Sequence, residues 1–253
     1  MKHFENYRVQ YHHTDRDFNL KLFYLAQYMQ ETAIAAFDRL TLPRREIIEK
    51  SLAFVLSSIS FRFEQEIKKF DEIRVETWAL PLTSVTFTRN YKVFNEVTGD
   101  CCVLASSSWV LIHTQKRNLV NPKTLSESYT AATDDEEVGF RAVRKIRMPD
   151  GFGNPDGEKF LFDKEIFYCD IDENLHMNNS VYLDIIQNAL WKMTRESQPG
   201  RLSSLDLSYN SGASEGQILS VRGTKTAGET GVEVYIRGKA DGINCFDAKA
   251  LYL

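Results

Sequence analysis

Asp172, Asn174 and His176 stand two residues apart in the run Asp170-Ile171-Asp172-Glu173-Asn174-Leu175-His176-Met177-Asn178-Asn179, immediately ahead of an amphipathic stretch. A carboxylate and an imidazole beside an amide are groups that move protons and orient a nucleophile near neutral pH. If the approach to the helix is extended, side chains two apart point to one side and the three converge. A helix starting near Asn179 aims its free backbone N–H groups at the same place and offers partial positive charge to an oxyanion. Those parts together suit acyl transfer or hydrolysis.

The elements that must position this segment come in two sets. Leu22, Leu25, Ala26, Met29, Ala33, Ala36, Phe37 and Leu40 recur at helical spacing, with Asn19 placed to cap the start and Pro43 to close the end. A short strand over 7–13 precedes this helix, and strand-like runs over about 54–66, 72–80, 85–96 and 101–113 follow it. From residue 161 the order repeats. A strand runs through Phe167 and Tyr168, and a helix carries Val181, Tyr182, Ile185, Ile186, Ala189, Leu190 and Met193. Strands near 202–209, 217–226, 231–239 and 243–253 come after it. Tyr11 matches Tyr168 and Asp15 matches Asp172 at an offset of 157, while Phe63 matches Tyr209 and Val75 matches Val221 at 146. The expected organisation is a first domain over 1–125, a linker over 126–160 and a second domain over 161–253. One strand, one long helix and a run of antiparallel strands, given twice, predict an α+β class with the helices on one face of the sheet.

The composition narrows the field of functions. With 253 residues, 43% of them hydrophobic and 12% aromatic, the chain can build a sizeable core without staples. A formal net charge of -4 gives no global case for nucleic acid or an anionic membrane, and no run approaches a membrane span, so a cytoplasmic protein is expected. Cys101, Cys102, Cys169 and Cys245 form no CxxC pair and no metal-ligand pattern, which predicts no metal and reduced, largely buried thiols. Arg141, Arg144, Lys145 and Arg147 form a basic cluster that stands out on an acidic chain.

Several segments resemble those of acyl-acyl carrier protein thioesterases of the bacterial, tandem-hotdog kind. They are Asp15 ahead of the first helix, the run Phe70 to Trp78, the run Ser108 to Ile112, and above all Asp170 to Asn179 followed by Tyr182. The resemblance implies a double hotdog, each half a long central helix wrapped by an antiparallel β-sheet. It implies hydrolysis of fatty acyl-acyl carrier protein without a cofactor, releasing free fatty acid and ending chain elongation. The catalytic residues it implies are Asp172, Asn174 and His176, with backbone N–H groups of Asn178 and Asn179 as oxyanion donors. The first half would shape the acyl pocket, for which Tyr28, Met29, Phe54 and Phe61 are candidates. Arg141, Arg144, Lys145 and Arg147 would dock a carrier bearing a fatty acyl-phosphopantetheine; no nucleic acid partner is implied, and a homodimer is compatible with the reading.

At one place the chain departs from the family. The family's further acidic residue lies three positions after a strand aromatic; counted from Tyr209 that position is Gly212, and the plant members' cysteine position is Ala213. A register two residues away gives Asn210 and Ser211, so neither supplies the acid. At the offset of 157, Asp172, Asn174 and His176 correspond to Asp15, Asp17 and Asn19, and His12 and His13 read as strand or turn residues. One site per chain, in the second half, is expected. The rivals are an acyl-coenzyme A thioesterase, a hotdog dehydratase and a non-catalytic acyl-thioester binding protein.

Overall fold

The computed structural model describes residues 2–39, 47, 49–82, 86–116, 118–121, 133–154, 156–197 and 199–253. Two compact units emerge, one of Met1–Leu20 with Gln27–Ala142, the other of Lys21–Ala26 with Val143–Leu253. The first unit contains β1 (His3–Arg8), most of α1 (Leu22–Asp38), β2 (Leu52–Phe63), β3 (Glu72–Ala79), β4 (Thr86–Asn95), β5 (Cys101–His113) and the short β6 (Asn118–Leu119). Its strands pair antiparallel in the order β1-β3-β4-β5-β2, with β6 on β5. The second unit holds β7 (Lys159–Glu165), α2 (Asn179–Thr194), β8 (Leu202–Tyr209), β9 (Ile218–Ala227), β10 (Val232–Ala240) and β11 (Ile243–Tyr252). Its order, β7-β9-β10-β11-β8, is that of the first unit repeated.

The duplication extends to individual hydrogen bonds. Leu20 N–H donates to Ile67 O and Met177 N–H to Ala213 O, both at 2.8 Å. Val9 N–H donates to Asp71 O and Ile166 N–H to Gln217 O, both at 2.9 Å. The donors are 157 apart and the acceptors 146 apart, the two offsets visible in the sequence.

Periodicity explains both kinds of element. In β3 the alternate residues Ile73, Val75 and Thr77 are completely buried, as a strand with one core-facing side requires. In α2 the buried set includes Val181, Tyr182, Ile185, Ile186, Ala189, Leu190 and Met193, a stripe at helical spacing that packs on β9 and β10.

Three expectations are corrected. The strand expected over 7–13 ends at Arg8, and Tyr11–His13 is a 3-10 turn because His13 Nδ1 accepts the Gln10 N–H at 3.1 Å and closes the chain on itself. The second copy turns in the same way over Tyr168–Asp170, where Asp170 Oδ2 accepts the Phe167 N–H at 2.9 Å. That turn leaves Cys169 exposed rather than in the core. Asn19 does not cap α1, since its side-chain oxygen accepts from Lys68 Nζ at 2.5 Å while the Leu22 N–H donates to Gln187 Oε1 at 2.8 Å. Pro43, Pro122 and Ser126 lie outside the described residues.

Of the segment expected as a linker, residues 126–132 also lie outside the described residues, and 133–142 form a strap on the first sheet. Asp134 N–H donates to Ala79 O at 2.9 Å, Trp78 Nε1–H to Glu136 O at 2.7 Å, and Val138 is buried with Trp78 and Leu80. The Glu136 carboxylate accepts from Lys92 Nζ at 2.6 Å and from Lys2. Beyond Val143 the chain belongs to the second unit, where Ser208 Oγ donates to Arg144 O at 3.1 Å and Ile146 is buried.

Candidate active site

Residues 171–177 are not the extended approach that side-chain alternation implied. Ile171 and Met177 form an antiparallel bridge at the neck of a closed loop, with Asp172 N–H donating to His176 O at 3.0 Å and Leu175 N–H to Asp172 O at 3.0 Å. Inside the loop Asp172 Oδ1 accepts the Asn174 N–H at 2.9 Å, an Asx turn, and Leu175 takes φ 62°. Asp172 and His176 are therefore neighbours across the loop neck, held by backbone, and Asn174 is held by the Asp172 carboxylate. Asp172 is half-buried; Asn174 and His176 are exposed. The first unit builds the same loop from Asp15, Asp17, Phe18 and Asn19, with Asp17 N–H on Asp15 Oδ1 at 2.9 Å and Phe18 at φ 65°. Where His176 offers an imidazole, the first unit offers the amide of Asn19.

The two N–H groups expected as oxyanion donors differ at the start of α2. Asn178 caps the helix, its Oδ1 accepting from Ser180 N–H at 2.9 Å and Ser180 Oγ–H at 2.8 Å. Its own N–H is committed to Asp170 O at 2.8 Å, so Asn178 is not a free donor. The Asn179 N–H has no partner among the described residues.

Residues 210–213 form the floor beneath the imidazole. Asn210 N–H and Ser211 N–H donate to Cys245 O at 2.8 and 3.2 Å, and the Ala213 N–H donates to the Tyr182 hydroxyl at 3.1 Å. Burial pushes the Tyr182 hydroxyl up to about 12, helped by the charges of Cys245 and Asp172 and opposed by the Ala213 bond, so it stays protonated at neutral pH. Burial also raises Tyr209, whose hydroxyl donates to Asn179 O at 3.1 Å. Asp184, one turn into α2, is raised by burial and drawn back by Lys21 and Lys164. The floor's contact with His176, and the Tyr182 bond that anchors it, cross 31 to 36 positions of sequence that no local spacing links.

The other expected residues are placed as follows. Tyr28 and Met29 are buried on α1; the Tyr28 hydroxyl meets His13 Nδ1 at 2.5 Å and its ring stacks on Tyr7 at 4.4 Å. Phe61 is fully buried beside Phe63, whereas Phe54 packs edge-on to Phe87 at 4.8 Å in a cluster with Ile47 and Leu111. Arg141 is paired with Glu137 at 2.6 Å, and Arg144, Lys145 and Arg147 are exposed around Ile146. Among the described residues no group of three or more His, Cys, Asp or Glu is placed to hold a metal ion, and no helix is long and apolar enough to cross a membrane.

An exposed imidazole and a half-buried carboxylate thus stand at the neck of a loop that leads into the N-terminus of α2. Family models cover both units. Residues 1–128 match the acyl-ACP thioesterase N-terminal domain and residues 156–250 the acyl-ACP thioesterase C-terminal domain, so the chain belongs to the acyl-ACP thioesterase family, which are thioester hydrolases. The fold is shared with solved structures over nearly the whole chain. An acyl-ACP thioesterase from Bacteroides thetaiotaomicron has a TM-score of 0.82 at 18% identity, covering 99% of this chain and 97% of that one. The 12:0-ACP thioesterase from Umbellularia californica has 0.81 at 18%, covering 99% and 93%. A protein assigned as an oleoyl thioesterase from Lactobacillus plantarum has 0.84 at 17%, covering 100% and 97%. No curated protein matches the sequence.

Proposed function

We propose that hydrolysis of fatty acyl-acyl carrier protein takes place at the loop of Asp172, Asn174 and His176. The observation that carries this is the contrast between the two copies of one loop, of which only the second presents an imidazole. Among the described residues neither ring nitrogen of His176 has a partner, which leaves the ring free to accept a proton from water. Water oxygen attacks the thioester carbonyl carbon while its proton passes to His176. The carbonyl oxygen becomes an oxyanion facing the Asn179 N–H at the positive end of α2. The C–S bond then breaks, and the thiolate takes the proton back from the imidazolium. Asp172 lies across the loop neck from His176, and Asn174 orients the attacking water. The products are a free fatty acid and the carrier thiol, which ends elongation of that chain.

Arg141, Arg144, Lys145 and Arg147 are the docking cations of this reading, Arg141 also pairing with Glu137. The cytoplasm is the compartment it assigns, and a monomer or a homodimer could carry one such site per chain. The test is mass spectrometry of products from a panel of acyl-carrier thioesters beside the matching acyl-coenzyme A thioesters. Free acid released faster from the carrier series is expected. Intact thioester retained by the protein, or faster release from the coenzyme A series, overturns the reading.

A further inference from the structure

Gly212 lies directly against the His176 ring. A Cβ built on Gly212 would stand 2.4 Å from His176 Cδ2, 3.1 Å from Cγ and 3.2 Å from Nε2. The Cδ2 corner of the imidazole thus rests on the bare Cα, and the Nδ1–Cε1 edge is turned away from it. Gly212 is not among the residues with positive φ, so backbone conformation does not require a glycine here. The contact does.

We propose that Gly212 is a positioning residue for this reaction: its missing side chain is the seat that sets where the His176 imidazole stands. The floor cannot retreat from a larger residue. Its backbone is tied on one side through Asn210 and Ser211 to Cys245 O, and on the other through Ala213 to the Tyr182 hydroxyl and the Met177 N–H. A side chain at 212 must therefore displace the ring.

The first unit provides an internal control. Glu64 N–H and Gln65 N–H donate to Cys102 O, and Leu20 N–H to Ile67 O, so the same floor is anchored in the same way. At the offset of 146 the residue in the place of Gly212 is Glu66, and the residue opposite it is Asn19. Lys68 bridges the two, 2.6 Å from Glu66 Oε2 and 2.5 Å from Asn19 Oδ1. This backbone accepts a long side chain when no imidazole faces it. In the second unit Gly212 and Ser214 replace Glu66 and Lys68, and the His176 ring stands where a side chain at 212 would begin.

The proposal rests on His176 being the proton-transfer group, and the test separates the two. Gly212→Ala and His176→Ala are compared with the parent protein by NMR of the imidazole C–H signals and by kcat and KM on one acyl-carrier thioester. His3, His12, His13 and His113 report on folding, and the signal lost in His176→Ala identifies the ring. In Gly212→Ala the His176 signal is expected to move while the other four stay, with kcat about a hundredfold lower, as an ångström of misplacement can cause, and KM nearly unchanged. An unmoved His176 signal overturns the seat. A moved signal with full kcat overturns the positioning role if His176→Ala is inactive, and overturns the catalytic reading of His176, and the proposal with it, if His176→Ala is active. Should Gly212→Ala fail to fold, Gly212→Ala combined with His176→Asn decides: recovered folding supports the seat, and continued failure overturns it.

Discussion

The Tyr182 hydroxyl accepts the buried Ala213 N–H at 3.1 Å, joining the first turn of α2 to the floor beneath His176. Replacing Tyr182 with phenylalanine keeps the ring's edge-on contacts with Tyr209 and Phe246 but leaves that N–H unpaired in the core. A loss of ~1–3 kcal/mol is expected for an orphaned buried donor, read as a lower urea midpoint with an unchanged slope. Activity should fall further than stability alone explains, because the floor that carries Gly212 loses an anchor.

His176→Ala is expected to cost at least ~10²-fold in kcat, as removal of a general acid-base group does, while circular dichroism stays that of the parent. His13, the histidine of the first unit's turn, is held by the Gln10 N–H and the Tyr28 hydroxyl. His13→Ala should leave turnover nearly intact and lower stability instead. The reverse pattern would overturn the site assignment.

Acid should loosen the strap over the first sheet. Hydrogen bonds from Lys2 and Lys92 hold the Glu136 carboxyl down at about 2, against an ordinary value of 4.5. A carboxyl depressed by folding contributes stability above its unfolded value, and that contribution is lost as pH falls from 4.5 toward 2. Because Trp78 donates to the Glu136 carbonyl, its fluorescence reports the strap. Glu136→Gln should abolish the acid-dependent change in the Trp78 signal, and the difference between parent and variant should shrink in high salt, since this pair is largely solvent-exposed.

Reversing the charges of Arg144, Lys145 and Arg147 together to glutamate should lower kcat/KM for an acyl-carrier thioester by about tenfold or more, with a weaker salt dependence than the parent. Turnover of a small thioester lacking the carrier should not change. Equal losses on both substrates would show that the cluster acts on the fold rather than on docking.

The duplicated architecture was legible because its signals are local. Period-two burial in β3, period-3.6 burial in α2, and the two offsets of 157 and 146 all lie in residue order. The turns at Tyr11–His13 and Tyr168–Asp170 were not legible, because aromatic alternation continues through them. What stops the strand is a single side chain, His13 or Asp170, accepting a backbone N–H three residues back. The cap of α1 was missed for a similar reason. Lys21 stands where Asn178 caps α2 and has no acceptor to offer, and the acceptor that serves Leu22 comes from Gln187, 165 positions away.

At the site, the sequence by itself determined the residue types: one carboxylate, one amide and one imidazole ahead of a helix, present in the second copy and absent as a set from the first. Tertiary structure decided what surrounds them. It closed the segment into a loop rather than an extended strand, committed the Asn178 N–H to Asp170 and left that of Asn179 without a partner among the described residues. It also set Gly212 against the His176 ring, where a count along the chain records only the absence of an acid. Spacing along a chain reports hydrogen bonds and faces within one element. The space beside an imidazole is set by whichever backbone other contacts hold against it, here a segment 36 residues away.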